Sequence, residues 1–269
     1  MAALSDILAA TRRRVEESIS TADLAQLEQQ AAAHKPRGFR KALESVSGSA
    51  VAIIAELKKA SPSRGMIRSD FDPATLAQEL ERAGAAALSV LTDEEYFQGS
   101  LENLRIASVE TRLPCLRKDF IIDEFQILEA RANGADAVLL IVAALPQPDL
   151  LALAKRANES QLDVLCEVHD EEELGRALEA GCDLVGVNSR DLHTFKVDLD
   201  TAFRVAQMLP PEVVAVAESG IEKARDIAAL RSAGYNAFLI GESLMRASDP
   251  GDTLRRLIAE AGSAASAGM

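Results

Sequence analysis

From about residue 51 the chain alternates between short apolar runs and longer amphipathic stretches. The apolar runs are VAIIAEL (51–57), AALSVL (86–91), PCLRK (114–118), AVLLIV (137–142), DVLCEV (163–168), DLVGVN (183–188), VVAVAE (213–218) and AFLIG (237–241). Between them lie segments of helical period, such as PATLAQELERAG, EFQILEARANG, PDLLALAKRAN and EEELGRALEAG. Several end on a glycine placed for a left-handed helix C-cap, namely Gly84, Gly134, Gly181 and Gly234. Apolar runs without polar alternation imply strands buried on both faces, hence a parallel sheet covered by helices. Eight such βα units predict closure into a (βα)8 barrel of the TIM type; a doubly wound open sheet is the structural alternative.

Residues 1–50 precede the first strand and predict an N-terminal helical extension with helices over Leu4–Ser20, Ala22–Ala33 and Phe39–Ser45. Two readings of this extension stand side by side, a packing appendage at one end of the barrel and a cap near its mouth. The barrel is expected over 51–262, and the small, polar residues 263–269 are expected to fray. No linker interrupts the pattern, so 1–269 reads as a single domain with no further domain fused to it.

Composition narrows the chemistry. The core must be built from Ala, Leu, Ile and Val, because tryptophan is absent and aromatics are 4 %. The formal charge of −13 disfavours nucleic acid and acidic membrane surfaces as partners, so an anionic small molecule would need local cations. Cys115, Cys166 and Cys182 form no CxxC, and His34, His169 and His193 show no zinc-ligand spacing, so a reduced, cytoplasmic setting without metal is expected. The N-terminal twenty residues lack the apolar stretch of a signal peptide. The longest apolar run, Ala137 to Leu145, is far short of the ~20 residues that span a bilayer.

Barrel enzymes carry their chemistry at the C-terminal ends of the strands. In IIAELKKASPSRG, Ile54, Glu56 and Lys58 share one face; if Ile54 faces the barrel, Glu56 and Lys58 stand above it, followed by the hydroxyl-rich turn at Ser61. PCLRKDF puts Lys118 on the face of Leu116, and VLCEVHD puts Glu167 on the face of Leu165, leaving Cys166 as a small core residue facing the helices. GVNSRDL brings Asn188 and Arg190 near the mouth, VAVAESGI ends on Glu218, Ser219 and Gly220, and AFLIGESLM places Gly241 before a short helix. Glycine turns after strands 7 and 8 suit a phosphate group. The carboxylate of Glu242 would repel such a group, so it is expected to point away and offer only its N–H. With no nucleotide fingerprint, these residue types imply metal-free acid–base work on a small phosphorylated anion, without cofactor.

IIAELKKASPSRG, LTDEEYFQGS, LRKDFIID, GADAVLLIV, LCEVHD, VGVNSRDL, AESGI and AFLIGESLM, in this order, resemble the indole-3-glycerol-phosphate synthase family over about residues 4–260. The resemblance implies conversion of 1-(2-carboxyphenylamino)-1-deoxyribulose 5-phosphate to indole-3-glycerol phosphate, CO2 and water. It also implies that Lys118 is the general acid of ring closure and that Lys58 holds the substrate carboxylate and serves in dehydration. Glu167 and Glu56 would act as bases, and Asn188 and Arg190 would orient substrate. Ser61, Ser219, Gly220 and Gly241 would cradle the phosphate, and Phe97, Phe120, Leu139 and Leu192 would line the aromatic pocket. Glu218 belongs to the motif without an implied role.

Two positions depart from the family pattern: Ala60 stands where some members carry a further lysine, and Glu242 where others carry serine. A phosphosugar isomerase of the phosphoribosylanthranilate isomerase type is the rival on this scaffold, but its Cys–Asp pair has no obvious counterpart. A non-catalytic barrel would show decay of the charged set, which is complete. The chain is compatible with a monomer.

Overall fold

The computed structural model describes residues 4–192 and 194–267. Eight parallel strands close a barrel: β1 (Ala52–Leu57), β2 (Ala87–Leu91), β3 (Cys115–Lys118), β4 (Ala137–Ile141), β5 (Asp163–Val168), β6 (Leu184–Asn188), β7 (Val214–Glu218) and β8 (Ala237–Ile240). Each strand pairs with its sequence neighbours, and β8 closes on β1 with Ala52 opposite Ala237. All eight expected strands form, their ends within a residue of the apolar runs. The four C-cap glycines take positive φ, from 76° at Gly181 to 110° at Gly234.

Strand periodicity sorts the side chains into two cores. Ile53, Ala55, Leu57, Leu88, Val90, Leu140, Cys166, Val187 and Phe238 face the surrounding helices. Ala52, Ile54, Leu116, Leu139, Leu165, Leu184, Val216 and Leu239 fill the barrel interior. On that inward parity Glu56, Lys118, Glu167 and Glu218 follow at the ends of β1, β3, β5 and β7, with Asn188 ending β6 and Gly241 following β8, so on alternate strands the interior changes from apolar to charged within one step. The helices are started by side chains that accept from their free N–H groups: Asp72 before Pro73, Ser100 before Leu101, Asp123 with Gln126 as a capping box, and Asp170 before Glu171.

The N-terminal extension serves both ends. Helix α1 (Leu4–Thr21) lies over the C-terminal face, where Leu4 and Ile7 are buried beside the mouth and Arg14 bonds Asp93 and Asp119 at 3.2 and 2.8 Å. Helix α2 (Leu24–Ala33) packs on the outside against the helix Glu124–Ala132. Helix α3 (Phe39–Ser47) inserts Phe39 and Leu43 into the other end of the interior core. Both readings of the extension therefore hold, each for a different helix.

The last helix, Pro250–Ala267, continues beyond residue 262, where fraying was expected. Residues 268 and 269 of that expected tail lie outside the described residues.

Candidate active site

The cleft at the C-terminal face is built on the inward-facing strand ends. Lys118 Nζ, at the end of β3, lies 2.6 Å from Glu167 Oε2 on β5 and 2.8 Å from Glu218 Oε2 on β7. Lys58 Nζ pairs with Glu56 Oε1 at 2.8 Å, and Ser89 on β2 donates to Glu56 Oε2 at 3.4 Å. Asn188 turns its side-chain oxygen back to accept the N–H of Arg190 at 3.0 Å, which fixes the turn after β6.

Space for these carboxylates depends on two glycines. A Cβ on Gly186 would come within 2.1 Å of Glu218 Oε1, and one on Gly241 within 2.5 Å of Glu56 Oε1. Glycine at these positions lets the two glutamates lie across neighbouring strands.

The charges are unequally supported. Burial disfavours the Lys118 ammonium, but Glu167, Glu218 and Glu56 outweigh it and hold the lysine above its ordinary range. Burial likewise raises Glu167, but Lys118 and His169 prevail and keep it well below the usual carboxylate range. In Glu218 burial wins: despite Lys118, and with Glu167 adding like charge, its carboxyl is pushed up to about 7. Among the described residues, one of its oxygens, Oε1, is buried without a hydrogen-bond partner. Such a group is suited to exchange a proton near neutrality.

One wall of the cleft is apolar. Phe97, Phe120, Leu139 and Leu192 all line it, with the two phenyl rings 6.5 Å apart and tilted by 40°. Leu4 and Ile7 of α1, together with Pro62, Ile141 and Phe195, complete the wall. The helical period of α1 was visible in sequence, but not which end of the barrel it covers, so Leu4 and Ile7 could not be assigned to the pocket beforehand.

The opposite side is polar and opens into an adjoining recess lined by Lys58, Arg64, Arg190, Ser219, Gly220 and Gly241. Ser61 lines the main cleft, at the start of a small ribbon in which Ala60–Ser61 pairs with Gly65–Met66. Ser219 is held at φ 63°, a left-handed conformation that a non-glycine residue adopts at an energetic cost.

Glu242 corrects the expectation that it points away. Its carboxylate lines the cleft and is drawn in by three guanidinium groups: Arg64 at 2.9 Å, Arg190 at 3.6 Å and Arg246 at 3.6 Å. Arg64 and Arg246, which the strand pattern did not single out, supply the local positive charge that makes this orientation favourable. His169, also unassigned from sequence, sits behind Glu167. All three cysteines are buried in the layer between sheet and helices, away from the cleft.

The sequence profile of the family described as "Indole-3-glycerol phosphate synthase" matches residues 4–257. The chain belongs to the indole-3-glycerol phosphate synthase family. The indole-3-glycerol phosphate synthase of Koribacter versatilis is 59 % identical over 255 residues, covering 95 % of this chain and 98 % of that one. The enzyme of the same name from Desulfotalea psychrophila is 51 % identical over 222 residues, covering 82 % and 85 %.

Solved structures place the fold among barrels of diverse chemistry. The thiamine phosphate pyrophosphorylase of Pyrococcus furiosus aligns with a TM-score of 0.59 at 17 % identity, over 81 % of this chain and 98 % of that one. KGPDC from Streptococcus mutans aligns with a TM-score of 0.61 at 11 % identity, over 79 % and 97 %. At such identities the likeness concerns architecture alone. The expected family and barrel are thus borne out. Among the described residues, no helix is long and apolar enough to cross a membrane.

Proposed function

We propose that the chain is an indole-3-glycerol-phosphate synthase acting as a carboxy-lyase by general acid–base catalysis. Its substrate would be 1-(2-carboxyphenylamino)-1-deoxyribulose 5-phosphate. The observation that carries this reading is Lys118, clamped by Glu167 and Glu218 at the floor of a cleft with one aromatic wall and one cationic, glycine-lined recess. An anilino ring suits the first, a phosphate the second, and a ketone between them lies over the lysine.

Ring closure forms a bond from the aromatic carbon bearing the carboxylate to the ketone carbon, while Lys118 protonates the ketone oxygen. Phe97, Phe120, Leu139 and Leu192 hold the ring, and exclusion of water by this wall favours departure of the carboxylate as CO2. Lys58 first pairs with that carboxylate and then protonates the departing hydroxyl. Glu56 or Glu167 removes the proton whose loss restores aromaticity. Overall, two protons reach the oxygen that leaves as water, one returns from carbon, and one is taken up from solvent. Asn188 and Arg190 orient the sugar chain, and Ser61, Ser219, Gly220 and Gly241 surround the phosphate.

Every group named comes from one chain, so a monomer suffices. The three unpaired, buried cysteines suit a cytoplasmic location. The test is turnover of this substrate by purified protein in the presence of a chelator, followed by indole fluorescence. A protein-dependent rise supports the reading; folded protein without any rise contradicts it, and phosphoribosylanthranilate would then be tried.

A further inference from the structure

A partly buried histidine plays no part in the mechanism above. His169 stands two residues beyond Glu167 and does not line the cleft. Its Nδ1 is 3.0 Å from Glu173 Oε2 on the helix Glu171–Glu179, and the same oxygen accepts the His169 backbone N–H at 2.8 Å. Asp170 accepts the Glu173 N–H at 2.8 Å, which fixes the turn between strand and helix. The other ring nitrogen, Nε2, lies 3.4 Å from Glu167 Oε1, an ion-pair contact rather than an aligned hydrogen bond.

The two carboxylates that hold Lys118 are therefore not equivalent. Glu167 faces a cation on each oxygen, Lys118 at Oε2 and His169 at Oε1. Among the described residues, Glu218 meets one cation, Lys118 at Oε2, beside the like charge of Glu167, and its Oε1 has no hydrogen-bond donor. We propose that His169 is a positioning residue that makes this pair unequal, fixing Glu167 as the charged member of the resting pair and leaving Glu218 to exchange its proton with Lys118. The proposal deepens the synthase reading and rests on it for the role of Lys118.

The remaining charges agree with this division. Glu56 and Lys58 of β1 form a pair of their own, Glu173 is engaged by His169, and Lys118 is shared. Burial opposes the imidazolium, but Glu167 and Glu173 outweigh it and raise His169 to about 10, so it remains charged through neutral pH. In turnover, Lys118 gives an N–H proton to the ketone oxygen, and protonated Glu218 passes its O–H proton back to the neutral amine. Glu218 is then reprotonated from solvent, which accounts for the net proton the reaction consumes.

The test uses the ligand-free full chain with its glutamate carboxyl carbons labelled with 13C and titrated by NMR. In the wild type one buried carboxyl should titrate near neutrality, and Glu218→Gln should delete that signal. Loss of the neighbouring cation in His169→Asn lets the pair accept a proton more readily, so the midpoint should move up by about one unit. His169→Lys should return it towards the wild-type value. Should His169→Asn fail to fold, Glu173→Gln, which keeps the ring but removes its anchor, should shift the midpoint in the same direction and by less.

In kinetics, His169→Asn should lower kcat about 10-fold or more with little change in KM, and should move the pH profile of kcat. Absence of a neutral-range carboxyl deleted by Glu218→Gln would overturn the proposal. So would an unchanged midpoint in a folded His169 or Glu173 variant, or a kcat loss with an unmoved pH profile. The titration needs no substrate, so a wild type that titrates as described but does not turn over would count against the synthase reading and not against this one.

Discussion

The two ends of the barrel handle buried charge in opposite ways. At the end plugged by α3, Asp136 accepts from the backbone N–H of Arg37 at 2.6 Å and of Cys115 at 2.7 Å, and its two oxygens also bond the Arg37 guanidinium. Burial raises this carboxyl, but His34, Arg37 and Cys115 together hold it below the ordinary aspartate range. At the open end, Glu218 is equally buried but shares one lysine with Glu167, and among the described residues one of its oxygens has no donor. A saturated carboxylate is an anchor; an unsaturated one retains a capacity to bind a proton. The closed end spends its hydrogen bonds on stability, whereas the open end withholds some of them from the resting structure.

The largest effect that would break this comparison is on Lys118. Lys118→Ala should lower turnover by about 10³-fold or more while circular dichroism stays that of the wild type, since the strands and helices of the barrel do not depend on this side chain. Substantial residual activity would remove it from the acid role. Asp136→Ala should do the converse: urea unfolding should show a loss of about 3 kcal/mol, with kcat per folded molecule retained. A catalytic defect at full stability would undo the division of labour between the ends.

A pH-dependent effect sharpens it further. The folded-state carboxyl of Glu218 is raised to about 7 from an ordinary value near 4.3, so the folded protein binds this proton more tightly than the unfolded chain. Its stabilising contribution is full below the ordinary value and is lost as pH rises towards 7. Glu218→Gln should therefore melt with the wild type at pH 5 and a few degrees above it at pH 8. Equal melting at both values would mean that the charged carboxylate is well supported after all. The smallest effect concerns Glu242. Removing its charge with Glu242→Gln frees Arg64 and Arg190, and inorganic phosphate should inhibit several-fold more tightly; weaker inhibition would show that the carboxylate organises the site rather than competing there.

The legible part of this molecule was the part governed by local pattern. Strand parity alone puts Glu56, Lys118 and Glu167 on the inward face, because a period of two is a backbone property. Residues whose placement depends on distant elements were harder. Leu4 and Ile7 reach the pocket only because α1 folds over the mouth, which requires Arg14 to meet Asp93 and Asp119 some eighty to one hundred residues away. Glu242 is a similar case: a carboxylate beside a phosphate turn is unfavourable in isolation, and although Arg246 lies one turn on in its own helix, Arg64 and Arg190 come from the loops after β1 and β6. The inequality of Glu167 and Glu218 likewise depends on His169 and Gly186, which lie on neighbouring strands or loops and carry no catalytic signature of their own.

The central claim is that the open end performs a decarboxylating ring closure through Lys118. Its most direct test is a single-turnover experiment with the deoxyribulose phosphate substrate carrying 13C in its carboxylate, comparing the wild type with Lys118→Ala. The account predicts one labelled CO2 released per indole formed by the wild type and neither product from the variant. Unchanged substrate after incubation with folded wild type, or equal product from the variant, would contradict it.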